Sequence, residues 1–250
     1  MRLDIYLVEK GFFDSRSKAQ AAIADGGVLV DGKLITKANF DVKEEPKIEI
    51  IKNSCPYVSR GGLKLAEAIS KFYLDFNGKI VLDIGASTGG FTDCALKHGA
   101  QLVYAVDVGS NQLDASLKNH CKVVSMEQTN ILDVGAFPVV FDFLVMDVSF
   151  VSIEHLLPAI DRFLTEEATL ICLIKPQYEL GKRYLKNGVV KDRALHIKSI
   201  EQVISAVEGY GMGVVKLIPS PILGGSGNKE FLACVKRNAK TRVNSIEVCK

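Results

Sequence analysis

The chain has 250 residues, 48% of them hydrophobic, with 31 Lys+Arg against 29 Asp+Glu and a formal net charge of +2. That suffices for one full α/β domain with a small appendage. No apolar run is long enough to span a bilayer, because Asp142 and Asp147 interrupt the best candidate. Met1-Arg2-Leu3-Asp4 lacks a signal-peptide core, and the six cysteines form no C-x-x-C pair. These features point to a reduced, cytoplasmic protein without structural zinc. The charge is segregated: residues 80–170 carry 12 acidic groups against 4 basic ones, and residues 171–250 carry 14 basic against 6 acidic. Segregation of this kind suggests one side facing a polyanion, although a charge run is often only a solvated face.

Residues 1–51 read as a small α+β unit. Leu3 to Lys10 and Ser15 to Asp25 form two short helices, the second opened by Asp14 or Ser15 as N-cap. Val28 to Val30, then Asp31-Gly32, then Lys33 to Ile35 is a hairpin signal, and Lys47 to Ile51 adds an alternating strand. Arg16 and Lys18 share a helix start and are placed to meet phosphates, with Arg2 and Lys33 as neighbours. The strings R-L-D-x-x-L-V-E-x-G, S-R-S-K-A and G-V-L-V-D-G-K resemble the small RNA-binding domain named after ribosomal protein S4. That resemblance implies that Arg16 and Lys18 face structured RNA. The sequence divides into this domain at 1–52, a linker at 53–60 with Asn53, Ser54 and Pro56, a larger domain at 61–236, and a loosely ordered basic tail at 237–250.

The segment from Ser59 to Ile69 is an amphipathic helix packed through Leu63, Leu65, Ala66 and Ile69. Lys64 lies among them, either on the helix edge or directed at a site. From Ile80 onward strands and helices alternate, as a doubly wound sheet requires. Strands are expected at Ile80–Ile84, Leu102–Val106, Lys122–Met126, Phe141–Met146, Leu170–Ile174, Val214–Ile218 and Glu230–Val235. Helices are expected at Phe91–His98, Ile153–Phe163 and Leu195–Tyr210. The last two strands are joined through the Pro- and Gly-rich segment Pro219 to Gly227, which suits a terminal antiparallel hairpin.

The first strand of this domain runs into the turn Asp83-Ile84-Gly85-Ala86-Ser87-Thr88-Gly89-Gly90-Phe91 and then a helix start. Such a turn presents backbone N–H groups and a positive helix end to a ligand. The second strand ends at Asp107, where a carboxylate can accept both hydroxyls of a ribose. A dinucleotide site wants G-x-G-x-x-G, but Ser87 stands where the second glycine belongs. The acidic start of the turn suits a cationic or zwitterionic nucleoside such as S-adenosylmethionine. A nicotinamide enzyme is further disfavoured by the terminal hairpin.

Asp147 and Lys175 each follow an apolar strand and therefore project beyond the carboxyl ends of the sheet, where ligands sit. Glu230 opens the final strand and can reach the same mouth. With Lys64 they make two cations and two anions, which fits a structural ion-pair cluster or a reacting site. The chemistry that matches is methyl transfer to a sugar hydroxyl. Lys175 serves as general base, Lys64 as the neighbouring cation, and Asp147 and Glu230 hold the lysines in register.

Lys64 in S-R-G-G-L-K-L, the D-I-G-A-S-T-G-G-F-T turn, Asp147 in M-D-V-S-F, Lys175 in L-I-K-P-Q-Y-E and Glu230 in N-K-E-F together resemble the TlyA family. These are haemolysin-named ribosomal RNA methyltransferases with an FtsJ-like catalytic domain. The resemblance covers about residues 1–236. It implies a seven-stranded class I methyltransferase sheet and a catalytic set Lys64, Asp147, Lys175 and Glu230. It places the cofactor against Asp83, Gly85, Ser87, Gly89, Gly90, Phe91 and Asp107, with Asn130 near the adenine. RNA would meet Arg2, Arg16, Lys18, Lys33, Arg60, Lys182 and Arg183, with Lys186, Lys191 and Arg193 as further phosphate contacts. It also implies cytidine 2′-O-methylation of ribosomal RNA within assembled or partly assembled subunits, and leaves open whether one or both subunits are substrates. No metal is expected, and the oligomeric state is open with a monomer favoured. A membrane-active cytolysin, which the family's name invites, would need an inserting segment that the sequence lacks; a binding-only RNA chaperone would not need the intact catalytic set.

Overall fold

Two stretches of chain each close on a core of their own, Met1–Cys55 and Pro56–Lys250. The computed structural model describes residues 1–13, 16–24, 26–43, 45–51, 55–224 and 227–249, without the side chains of Ser17, Lys18, Ala21, Ala24 and Lys182. The N-cap expected at Asp14 or Ser15, the linker residues Asn53 and Ser54, and the side chains of Lys18 and Lys182 thus lie outside the described residues. Among those described, no helix is long and apolar enough to cross a membrane.

The first unit holds helices α1 (Leu3–Glu9) and α2 (Arg16–Ala24) and strands β1 (Val28–Val30), β2 (Lys33–Leu34) and β3 (Ile48–Ile50), in the order β2-β1-β3. Asp31 and Gly32 both adopt positive φ, 50° and 73°, as a two-residue hairpin turn of this hand requires. Leu3, Leu7, Ala19, Ile23, Val28 and Val30 form the core.

The second unit begins with α3 (Gly61–Phe72) and alternates through β4 (Ile80–Ile84), α4 (Gly90–Lys97), β5 (Leu102–Val106), α5 (Ala115–Lys118), β6 (Val123–Met126) and β7 (Phe143–Met146). It continues with α6 (Ile153–Phe163), β8 (Thr169–Ile174), α7 (Pro176–Glu179), α8 (Arg193–Glu208), β9 (Met212–Pro219), β10 (Phe231–Arg237) and α9 (Ser245–Val248). The seven strands lie in the order β6-β5-β4-β7-β8-β10-β9, with β10 antiparallel to both neighbours. The expected terminal hairpin is therefore present. Alternate residues of each strand feed opposite faces: Val81, Val103, Phe143, Val145, Ile171 and Leu173 meet α3 and α4. Leu82, Val106, Leu144, Met146, Cys172 and Ile174 pack with α6 and α8.

Three expectations are corrected. The one-turn helices α5, α7 and α9 escape a periodicity argument, which needs more residues than one turn supplies. Pro176 is the clearest case: Lys175 is the N-cap of α7 and Pro176 its first residue, where the missing N–H costs nothing. The tail is also not loose. Arg193 donates from Nε to the Cys249 carbonyl and from Nη2 to the Ile246 carbonyl, and Arg242 N–H donates to Val214, so the basic group expected at phosphates instead ties α9 down. Finally, residues 56–60 belong to the second unit, where Val58 N–H donates to Asp93 Oδ2 at 2.9 Å.

Four cysteines, Cys94, Cys172, Cys234 and Cys249, are buried, and burial pushes their thiols up, so they are weak nucleophiles. Helix α3 packs tightly on α4 at Gly90. A Cβ there would lie 2.9 Å from Gly62 N and 3.2 Å from Gly61 Cα. Gly90→Ala should therefore drive the helices apart and destabilise the protein by about 1–3 kcal/mol, read as a lower denaturation midpoint; an unchanged midpoint would show the contact to be soft.

Asp83 is wholly buried on β4 and accepts a 2.6 Å hydrogen bond from Thr92 Oγ1. Burial pushes its carboxyl up to about 7, helped by the charges of Asp147 and Asp107 and opposed by Thr92. An unfolded aspartate loses its proton near 3.8. The native state thus binds more protons between those values, so stability falls as pH rises from about 4 to about 7 and levels off above. Asp83→Asn should flatten that decline in pH-dependent denaturation; an unaltered slope would remove Asp83 as its source.

Candidate active site

Strand β4 ends at Ile84 and the chain turns through Gly85, whose φ of 80° brings its backbone against Asp147 O and Val148. Ser87 follows at φ 47°. Its N–H donates to Asp107 Oδ2 at 2.8 Å, and Gly109 N–H donates to Asp107 Oδ1 at 2.7 Å. Each carboxylate oxygen keeps a further lone pair, so Asp107 is fixed by the backbone and still open to hydroxyls. A cavity of ≈ 530 Å³ opens here, beyond the carboxyl ends of β4, β5 and β7, with Gly85, Ser87, Asp107, Asn130 and Asp147 on its wall.

Four of the residues expected at a cofactor, Gly85, Ser87, Asp107 and Asn130, line this cavity; Asp83, Gly89, Gly90 and Phe91 do not. Asp83 lies in the sheet, with Oδ1 buried and without a hydrogen-bond partner. Gly89 is small because a Cβ would lie 2.8 Å from Leu113 Cδ1. Gly90 admits α3, and Phe91 belongs to the core under it. These glycines serve helix packing. Asn130 also caps the short 3-10 helix Ile131–Asp133 through Oδ1. The sequence reading missed Gln112, Ser149 and Phe150, which line the same wall. The strand-end rule that located Asp147 would have reached Ser149 and Phe150 as well. Gln112 sits on a loop set by Glu127, which accepts from the N–H groups of Gln112 and Leu113 and from Lys118 Nζ. Lys118 foremost holds the Glu127 carboxyl down at about 2.

Lys64, Asp147, Lys175 and Glu230 converge. Lys64 Nζ donates to Glu230 Oε2 at 2.8 Å and to Asp147 Oδ2 at 3.2 Å. Lys175 Nζ stands 2.6 Å from Asp147 Oδ1 and donates to Ser149 Oγ at 2.9 Å. Gln177 Nε2 reaches Glu230 Oε1 at 3.2 Å. Both lysines are buried, their side chains 10% and 8% exposed. Burial works against the Lys64 ammonium, but Asp147 and Glu230 outweigh it and raise its pKa. Burial likewise opposes the Asp147 carboxylate, yet Lys64 and Lys175 bring its pKa below the ordinary value. Asp147 is thus both cavity wall and bridge between two lysine nitrogens.

In the first unit, buried Asp4 accepts from Arg2 Nε at 2.9 Å, Arg16 Nε at 2.8 Å and Gln20 Nε2 at 2.6 Å. The Arg2 bond foremost, with Gln20 and Arg16, holds the Asp4 carboxyl well below the usual range against burial. Both arginines remain about half exposed, 45% and 53%, and Lys33 is exposed on β2. In the second unit Arg60 is the half-buried N-cap residue of α3. Exposed Arg183 lies over the Tyr184 ring at 4.8 Å, as does Lys198.

Comparison with known proteins agrees with this geometry. Residues 57–237 match the FtsJ-like methyltransferase family and residues 1–47 match the S4 domain. The chain is 43% identical to Hemolysin A of Brachyspira hyodysenteriae, over 93% of this chain and 98% of that protein. It is 38% identical to the 16S/23S rRNA (cytidine-2′-O)-methyltransferase TlyA of Mycobacterium tuberculosis, over 92% of this chain and 87% of the relative. A solved structure described as a hemolysin from Streptococcus thermophilus superposes with a TM-score of 0.79 at 37% identity, covering 100% of this chain and 94% of that one. With an S4 domain ahead of a sheet that ends in an antiparallel hairpin, the chain belongs to the TlyA family of FtsJ-like, S-adenosylmethionine-dependent methyltransferases.

Proposed function

We propose that the protein methylates the 2′-hydroxyl of a ribose in ribosomal RNA, with cytidine as the target nucleotide and Lys175 as the general base. The large ribosomal subunit is the first candidate substrate and the small subunit the second. The observation that carries this reading is the pair of buried lysines bridged by Asp147 on the wall of an acidic cavity. The TlyA relative from Mycobacterium tuberculosis, named for cytidine 2′-O-methylation of ribosomal RNA, supports the choice of acceptor.

The cavity suits the cofactor chemically. Asp107 would take the ribose hydroxyls, Asn130 and Gln112 would offer amide groups, and Asp147 would face the cationic end. S-adenosylmethionine, when bound, supplies an electrophilic methyl carried on a sulfonium. The remaining work falls to the side chains. A ribose hydroxyl attacks well only as its proton leaves. Lys175, as the neutral amine, accepts that proton at Nζ. Lys64 faces two carboxylates and stays an ammonium; it orients the hydroxyl and offsets negative charge growing on the oxygen. Glu230 fixes Lys64, and Asp147 sets the spacing of the two nitrogens. Holding the reacting atoms in line contributes much of the acceleration.

RNA is held by phosphate contacts from Arg2, Arg16 and Lys33 of the S4 unit and from Arg60, Arg183, Lys186 and Lys191 of the catalytic unit, with Lys18 and Lys182 as further candidates. Such contacts make affinity fall steeply with salt.

Lys175→Ala should lower methyl transfer by roughly 10²–10⁴-fold while S-adenosylmethionine still binds by calorimetric titration; near-normal turnover in that variant would refute the base. Asp107→Ala should weaken S-adenosylmethionine binding by about 10- to 100-fold and leave RNA affinity unchanged in a filter-binding assay. A cofactor affinity equal to wild type would place the ribose elsewhere.

A further inference from the structure

Lys175 Nζ has a partner outside the four-charge cluster. It donates to Ser149 Oγ at 2.9 Å, two residues beyond Asp147 on the same strand end. The Ser149 hydroxyl faces the Tyr178 phenol in turn; burial raises the pKa of that phenol and Ser149 works to lower it. Helix α7 carries Tyr178 three residues after Lys175. The Tyr178 ring lies 5.7 Å from Lys175 Nζ and 5.2 Å from the Phe150 ring. Ser149 is exposed and belongs to neither core, so its hydroxyl has no packing task.

A lysine nitrogen is tetrahedral. One direction is the bond to Cε, and the other three hold N–H groups or, in the neutral amine, two N–H groups and a lone pair. Ser149 Oγ at 2.9 Å takes one of the three by a hydrogen bond, while Asp147 Oδ1, 2.6 Å away, is a charge contact without hydrogen-bond geometry. A neutral Lys175 that keeps the Ser149 bond has its lone pair confined to the two directions turned away from Ser149. Without Ser149 no described hydrogen bond would fix rotation about Cε–Nζ, and the lone pair would spread over all three directions. A base acts only when its lone pair meets the departing proton.

We propose that Ser149, itself held by Tyr178, is a positioning residue for methyl transfer: it takes one N–H of Lys175 so that the lone pair of the neutral amine faces the ribose hydroxyl. This role presupposes Lys175 as the base. During the step the ribose O–H bond breaks and its proton joins Lys175 Nζ, while the oxygen's electron pair forms the bond to the methyl carbon, whose bond to the sulfonium sulfur breaks with its electron pair left on sulfur as a neutral thioether. Ser149 and Tyr178 gain and lose nothing.

The test uses the full chain, S-adenosylmethionine, and ribosomal subunits from cells lacking this protein as methyl acceptor. Ser149→Ala should lower kcat about tenfold, with KM for the subunits and melting temperature unchanged. Ser149→Thr, which keeps the hydroxyl, should restore most of the rate. Tyr178→Phe should fall between the two. An unchanged kcat in Ser149→Ala, a loss carried by KM or by melting temperature, or a Ser149→Thr variant as slow as Ser149→Ala would overturn the assignment. Lys175→Ala measured alongside separates the two ideas. If it stays active, the base and its positioning residue fall together; if it is inactive while Ser149→Ala runs at the wild-type rate, only the role of Ser149 falls.

Discussion

Two buried lysine side chains sharing one carboxylate is the constraint around which the catalytic unit is arranged. Removing any member of the Lys64, Asp147, Lys175 and Glu230 cluster leaves an uncompensated charge out of water, a cost of several kcal/mol. The four must therefore arrive together, each from a different element: α3, the end of β7, the end of β8 and the start of β10. That explains features remote from any ligand. Gly90 lets α3 settle onto α4, Gly62 makes room for the Tyr57 side chain, and Gly224 leaves room for the Glu230 carboxylate, whose Cδ would lie 2.7 Å from a Cβ there.

Asp147 joins the two halves of the site. Its Oδ2 faces Lys64, its Oδ1 faces Lys175, and its residue lines the cavity that the turn after β4 opens. The cavity and the buried lysine pair therefore share a wall. The turn itself is held by Asp107, which gathers the N–H groups of Ser87 and Gly109. Position at the cavity is set by backbone donors and carboxylates, an arrangement with little freedom to relax when a cation arrives. The same device recurs in the S4 unit, where buried Asp4 splays Arg2 and Arg16 and leaves both half exposed. A buried carboxylate here holds two half-exposed cations in place.

Much of this was legible along the chain. The apolar runs at Ile80, Leu102, Phe143 and Leu170 mark strands because a parallel strand buried on both faces is mostly apolar, with Asp83 the exception on β4. The order of those runs and the final Pro- and Gly-rich hairpin point to the sheet. Asp107, Asp147 and Lys175 are visible because each follows such a run, and the strand direction dictates where its end faces. The glycines were harder. Gly85, Gly89 and Gly90 look alike in the sequence, yet only Gly85 lines the cavity. What a missing Cβ makes room for depends on the element that arrives from elsewhere.

Local pattern thus determined the elements, their order and the residues standing at strand ends, since hydrophobic period and turn chemistry act over a few neighbours. Only the tertiary structure decided that Lys64 turns inward from its helix, that it meets Glu230 across 166 positions of sequence, and that Ser149 rather than solvent takes the Lys175 proton donor. Those outcomes depend on how helices pack on a closed sheet. Charge pairing of this kind is selected by distance in space, which no spacing along the chain encodes.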